Sequence, residues 1–65
     1  MLENKIVRKK LNHVLDEYGV KLTHIAKQLN LDYTNLNKFK NGKYEYSQGK
    51  LNKLKVFLYK FDGIL

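Results

Sequence analysis

The residue types that recur in this chain, and those it lacks, bound its chemistry. Thirteen of the 65 residues are Lys or Arg against six Asp or Glu, a formal net charge of +7. Twelve of the thirteen are Lys, and the single Arg is Arg8. Such an excess of Lys over a small surface attracts polyanions from a distance; the plainer alternative is a Lys-rich surface that only keeps the chain dissolved. Lys meets phosphate as a point charge and seldom forms the bidentate guanine contact that Arg does. Affinity for a nucleic acid would therefore rest on the backbone, with sequence read by few side chains. The groups that catalysis needs are sparse: no Cys, two His, no carboxylates paired at catalytic spacing and no phosphate-binding loop motif. The chain is not expected to be an enzyme. His13 and His24 read as surface residues rather than metal ligands, because no Cys or third His completes a site, so neither metal nor other cofactor is expected. His24 has one other reading, a touch on backbone phosphate.

Positioning falls to the stretch from Leu22 to Gly42. Ile25, Ala26 and Leu29 form one apolar helical face, and Leu36 and Phe39 form a second. The break between them, Asn30-Leu31-Asp32, has a buried-type Leu at its centre. Two short helices meeting steeply through a tight turn is the geometry that lets one of them enter a DNA major groove. Charge and geometry thus point to the same partner.

The flanks complete an all-α reading. Val7, Leu11, Val14, Leu15 and Tyr18, with Leu2 and Ile6 at the stripe's edge, predict a helix over about residues 2–18, and Gly19 is a left-handed stop. Glu3 suits the positive end of that helix dipole, whereas Asp16 and Glu17 sit at the wrong end and are solvated or paired elsewhere. Arg8, Lys9 and Lys10 form a second basic cluster, read as a solvated face. Thr23 or Lys21 opens the second helix, which ends at Leu29; Asn30 takes the turn, where its tolerance of positive φ is useful. Asp32 is the N-cap of a third helix reaching about Lys40 or Asn41, and Gly42 closes it. Lys43-Tyr-Glu-Tyr46 is a polar, aromatic loop, and Ser47 caps a fourth helix running to about Lys60. Proline is absent and β-branched residues never cluster, so strands have little support. The expected fold is a compact bundle of about four helices with a central helix-turn-helix, one domain over 1–65. Such a chain buries only about 60% of its unfolded surface. With no Cys to add a disulfide, a reducing setting fits. No apolar run approaches the roughly 20 residues of a membrane span, and Met-Leu-Glu-Asn-Lys lacks the apolar core of a signal peptide. A soluble, cytoplasmic protein without a membrane partner is expected.

The fourth helix carries two apolar lines. Leu51, Leu54, Leu58 and Phe61 make a core-facing stripe, and Phe57, Phe61 and Ile64 a second, rotated by roughly a quarter turn. Either the core face is wide and the tail frays, or Phe57, Phe61, Ile64 and Leu65 bury against a second copy across a twofold axis.

The run Ile25-Ala26-x-x-Leu29-Asn30-Leu31-x-x-x-x-Leu36-x-x-Phe39-x-x-Gly42 resembles the helix-turn-helix of the phage repressor and Cro superfamily, the lambda repressor-like domains. The likeness is specific over about residues 20–42 and loose beyond. In that family the small Ala makes room for the crossing third helix. Asn30 departs from the usual Gly and is its least costly replacement. Length is the other departure, since family members commonly carry five helices and this chain has room for four.

The resemblance implies that the third helix reads DNA. Tyr33 and Thr34 lie at its N-terminal end, where they would offer hydroxyls and apolar contact to a thymine methyl; Asn37 and Lys38 follow one turn on. Asn37 would pair with an adenine and Lys38 with guanine O6 or N7. Asn35 points sideways, and the plainer reading of Tyr33 is a ring packed on the second helix. Phosphate contacts would flank the helix: Lys40, Asn41 and Lys43 after it, Lys21 and Thr23 at the start of the second helix, and Ser47 and Lys50 at the start of the fourth. Lys50 opposes the helix dipole there, a placement that a phosphate beside Ser47 and Gln48 would offset; the alternative is a solvated Lys.

The leading function is a sequence-specific, Cro-like repressor of transcription acting as a homodimer on a short inverted repeat. Two others stand beside it: an accessory DNA-binding factor for recombination or plasmid maintenance, and a protein-interaction module that keeps the fold. A chain of this size has no room for a ligand-sensing domain, so no small-molecule ligand is expected. The bias to Lys, Asn, Tyr and Ile suits a low-GC bacterium or its mobile elements.

Overall fold

A computed structural model describes residues 2–62 as four helices: α1 (Leu2–Tyr18), α2 (Leu22–Leu29), α3 (Tyr33–Lys40) and α4 (Gln48–Asp62). Each element lies where the apolar spacing puts it, with α4 running past the expected end at Lys60. The fold is all-α: no strand occurs among the described residues. α1 packs on α4 and on α3, and α2 packs on α3. One core joins Val7, Leu11 and Val14 of α1 to Ile25 and Ala26, to Leu36 and Phe39, and to Leu51, Leu54, Phe57 and Leu58.

Helices α1, α2 and α3 are each followed by a left-handed residue, Gly19, Asn30 and Gly42. Gly19 stops α1 at φ +66°. At the end of α2, Asn30 holds φ 56°, ψ 46°, while its amide bonds Lys27 O (3.3 Å) and the Leu31 amide bonds Ala26 O (2.8 Å). This paired bonding is the Schellman arrangement, which normally calls on Gly at the left-handed position. Leu31 then drops into the core.

Two residues with polar groups, Asn4 and Tyr46, also join the core. Asn4 lies on the buried side of α1 and is 2% exposed. Its Nδ2 donates to Tyr46 O (3.2 Å) and its Oδ1 accepts from the Tyr46 amide (2.8 Å), so one side-chain amide satisfies both backbone groups of a loop residue. That pairing anchors the α3–α4 loop to the start of α1. Tyr46 is itself buried, its ring 5.0 Å from Phe39 and 5.2 Å from Tyr44. Its hydroxyl has no hydrogen-bond partner among the described residues. Burial first, and the negative charges that Tyr44 and Asp32 can carry second, push its phenol up to about 12.

The described residues of both apolar lines of α4 pack against their own chain. Phe57 is 6% exposed and stacks at 5.2 Å on Phe61, which meets Tyr18 at 5.5 Å. Phe57 is thus covered by its own chain; the large apolar side chains that α4 leaves exposed are Val56 and Tyr59. Ile64 and Leu65, assigned to the same second line, lie outside the described residues. On the other flank Lys55 Nζ pairs with Glu3 Oε2 across α1 and α4, and that bond holds the Glu3 carboxyl below its ordinary range.

Replacing Asn4 by Leu strands two buried backbone groups of Tyr46 and is expected to cost about 2–4 kcal/mol in urea unfolding. Alkaline titration followed by phenolate absorbance should show a tyrosine that ionises only near 12, absent in Tyr46→Phe. An unfolded chain ionises this group near its ordinary 10.0, so the stability held in the neutral phenol is complete below that pH and is lost as pH rises toward 12. Tyr46→Phe should therefore resist alkaline unfolding better than the parent.

Candidate nucleic-acid interface

The candidate site is α3 and what holds it. Asp32, in extended backbone at φ −68°, accepts from the Asn35 amide through Oδ2 (3.0 Å), while its carbonyl takes the Leu36 amide (2.9 Å). This is the expected N-cap, and it fixes where the helix starts. Leu36 and Phe39 point inward and are completely covered, each worth about 1.5–3 kcal/mol of burial. With that face committed to the core, the 3.6-residue period turns Tyr33, Thr34, Asn37 and Lys38 outward together. All four are exposed, and Tyr33 keeps 47% of its surface open. Asn35 is half-buried at the side of the helix.

The far end of α3 is closed more completely than sequence reasoning anticipated. A helix leaves its last four carbonyls without intrahelical partners. Here each finds one. Asn37 O accepts from the Asn41 amide (3.2 Å), Lys38 O from the Lys43 amide (2.8 Å) and Phe39 O from the Gly42 amide (3.1 Å). Gly42 makes this possible at φ +81°. Lys40 O accepts from Asn12 Nδ2 of α1 (3.3 Å), and Phe39 O takes a second bond from Arg8 Nε. Arg8 also reaches Tyr44 O through Nη2 (3.2 Å), and its guanidinium carbon lies 4.8 Å from the centre of the Phe39 ring.

Arg8 therefore does not belong to a solvated basic face. It is half-buried and bonded to α3, while Lys9 beside it is exposed. Two signals were available. Arg8 is the one place where the chain uses a planar fork instead of an ammonium, and Asn12 stands four residues on, along the same flank of α1. Asn4 falls in step with Val7, Leu11 and Val14, so the apolar stripe itself carried its burial.

The remaining site residues divide by location. Asn41 and Lys43 are exposed directly after α3, and Lys40 is half-buried there. Lys21 and Thr23 are exposed at the start of α2 and line a hollow with His24 and Lys27, beside Tyr18 and Phe61. Lys21 stands just before the helix in extended backbone, and its side chain caps nothing, as an ammonium has only donors. Ser47 and Lys50 are exposed at the start of α4, where Gln48 Nε2 turns along its own helix to Asn52 Oδ1 (3.0 Å). No cluster of His, Cys, Asp or Glu among the described residues could hold a metal. No helix among them is long and apolar enough to cross a membrane.

A model of the helix-turn-helix domain family matches residues 2–64, almost the whole chain. The chain belongs to that family. No curated protein and no solved structure matches it. The match takes in all four helices, so α1 and α4 are parts of the helix-turn-helix domain and not appendages to a two-helix motif. In helix-turn-helix proteins that bind DNA the second helix of the motif lies in the major groove, and α3 is the helix in that position here.

The turn of the helix-turn-helix domain can be tested at Asn30. Asn30→Ala is expected to lose about 1–2 kcal/mol, the cost of a Cβ-bearing residue without a local polar side chain at positive φ. Asn30→Gly should match or slightly exceed the parent, with thermal midpoints as the readout.

Proposed function

We propose that this chain is a cytoplasmic, sequence-specific reader of double-stranded DNA that regulates transcription in the manner of a Cro-like repressor. It inserts α3 into the major groove and blocks access to the site it covers. The observation that carries this reading is the division of α3: Leu36 and Phe39 are wholly covered, while Tyr33, Thr34, Asn37 and Lys38 stand exposed on the opposite side. Asn37 pairs with an adenine and Lys38 with a guanine, while Tyr33 and Thr34 meet base edges or a thymine methyl at the helix's leading end. Lys40, Asn41 and Lys43 behind the helix, Lys21 and Thr23 at α2, and Ser47 and Lys50 at α4 take the flanking phosphates. The net charge of +7 supplies the long-range attraction.

An inverted-repeat site calls for two copies related by a twofold axis. Phe57 is already used by its own chain, so the dimer contact we propose runs over Val56, which is 61% exposed and lines a hollow with Leu29 of α2 and Asn52 of α4.

Gel-shift titration against a duplex selected from a random pool tests the assignment. Binding should fall with salt along a log–log slope of about −0.9 per phosphate neutralised, with two chains bound per inverted repeat. Asn37→Ala and Lys38→Ala should each weaken the selected duplex by about 1–3 kcal/mol and leave scrambled DNA nearly unchanged. Equal losses on both duplexes would remove base reading from these side chains.

A further inference from the structure

Arg8 makes three contacts with one planar group, two with α3 and one with the loop that follows it. Its Nε holds Phe39 O, its Nη2 holds Tyr44 O at 3.2 Å, and its guanidinium carbon lies 4.8 Å from the centre of the Phe39 ring. One turn further along α1, Asn12 Nδ2 bridges Arg8 O (3.1 Å) and Lys40 O (3.3 Å). The two side chains therefore grip consecutive carbonyls in the last turn of α3. Asn37 and Lys38 stand on that same turn, and their own carbonyls are held by Asn41 and Lys43.

We infer that Arg8, backed by Asn12, is a positioning residue for sequence discrimination: it sets the pose of α3 and so selects among DNA sequences without contacting a base. This rests on the DNA-reading proposal above. The physical reason is a difference in tolerance. A hydrogen bond to a base edge survives only within about 2.7–3.2 Å, so a small swing of the helix end takes Asn37 and Lys38 out of reach. Attraction between a basic surface and phosphate falls off over a Debye length, about 8–10 Å, and hardly registers the same swing. Arg is required because a fork can hold two carbonyls while its cationic carbon stays over a ring. A Lys keeps the charge but concentrates it at one point.

The test is Arg8→Lys in the full chain, read in two ways below the variant's melting temperature. In competition binding, the preference for the selected duplex over a scrambled one should fall about tenfold, the size of one mismatched base pair. Scrambled binding and the salt slope should stay as in the parent. In amide hydrogen exchange of the free protein, Gly42 and Lys43 should exchange faster while Leu31, whose amide bonds within the α2 turn, should not. Asn12→Ala, which gives up only the Lys40 and Arg8 carbonyls, should move both readouts the same way by less and serves if Arg8→Lys fails to fold. An unchanged preference, or equal losses on both duplexes, overturns the inference and leaves the DNA reading standing; so does unchanged exchange at Gly42 and Lys43. A parent protein that binds no duplex in a salt-dependent way brings down both.

Discussion

A helix of eight residues does not hold itself together in water, and α3 is eight residues long. Isolated helices shorter than about 12–15 residues are marginal, so the shape of α3 has to be imposed by what surrounds it. The chain imposes it from three directions. Asp32 fixes the first turn, Leu36 and Phe39 tie the inner face to the core, and α1 reaches across with Arg8 and Asn12 to hold the last carbonyls. The outer face is left with nothing to do for stability. That freedom leaves Tyr33, Thr34, Asn37 and Lys38 exposed and available for the recognition role proposed for them.

Seen from α3, the rest of the bundle is a support. Asn4 clasps the backbone of Tyr46, Tyr46 packs under Phe39, and Tyr44 leaves its carbonyl in reach of Arg8. The loop after α3 is thereby tied to α1 at two points, and α1 is tied to α4 by its apolar face and by the Glu3–Lys55 pair. Glu3 and Lys55 are both substantially exposed, so the pair contributes orientation more than stability. The buried amide of Asn4 matters more, because water cannot replace it.

The use of cations follows the same division. Nine of the twelve Lys are exposed and Lys10, Lys40 and Lys55 are half-buried, while the lone Arg, also half-buried, spends its donors on two backbone carbonyls of the protein. An ammonium is strongly hydrated and suits a surface proposed to release counterions on meeting DNA. A guanidinium is weakly hydrated, planar and geometrically selective, which suits a joint between helices.

The helices, their stops and the inward faces of α2 and α3 could be read from the amino-acid order alone. Apolar spacing, the Asp32 cap, Asn30 and the glycines at 19 and 42 are local signals with local causes. The outward face of α3 followed from the same periodicity. What the order could not show was partnership between distant residues. Asn4 and Tyr46 are 42 positions apart, and Arg8 and Phe39 are 31. A polar side chain reads as solvated until the fold brings a backbone group to meet it. Phe57 likewise read equally well as core or as contact surface, because helical period gives its direction from the axis but not what stands there. Only when α1, α2 and α4 close on one another is Phe57 covered and the guanidinium of Arg8 brought to the end of α3, since burial and hydrogen bonding depend on distances in space, which sequence spacing constrains only within a single helix.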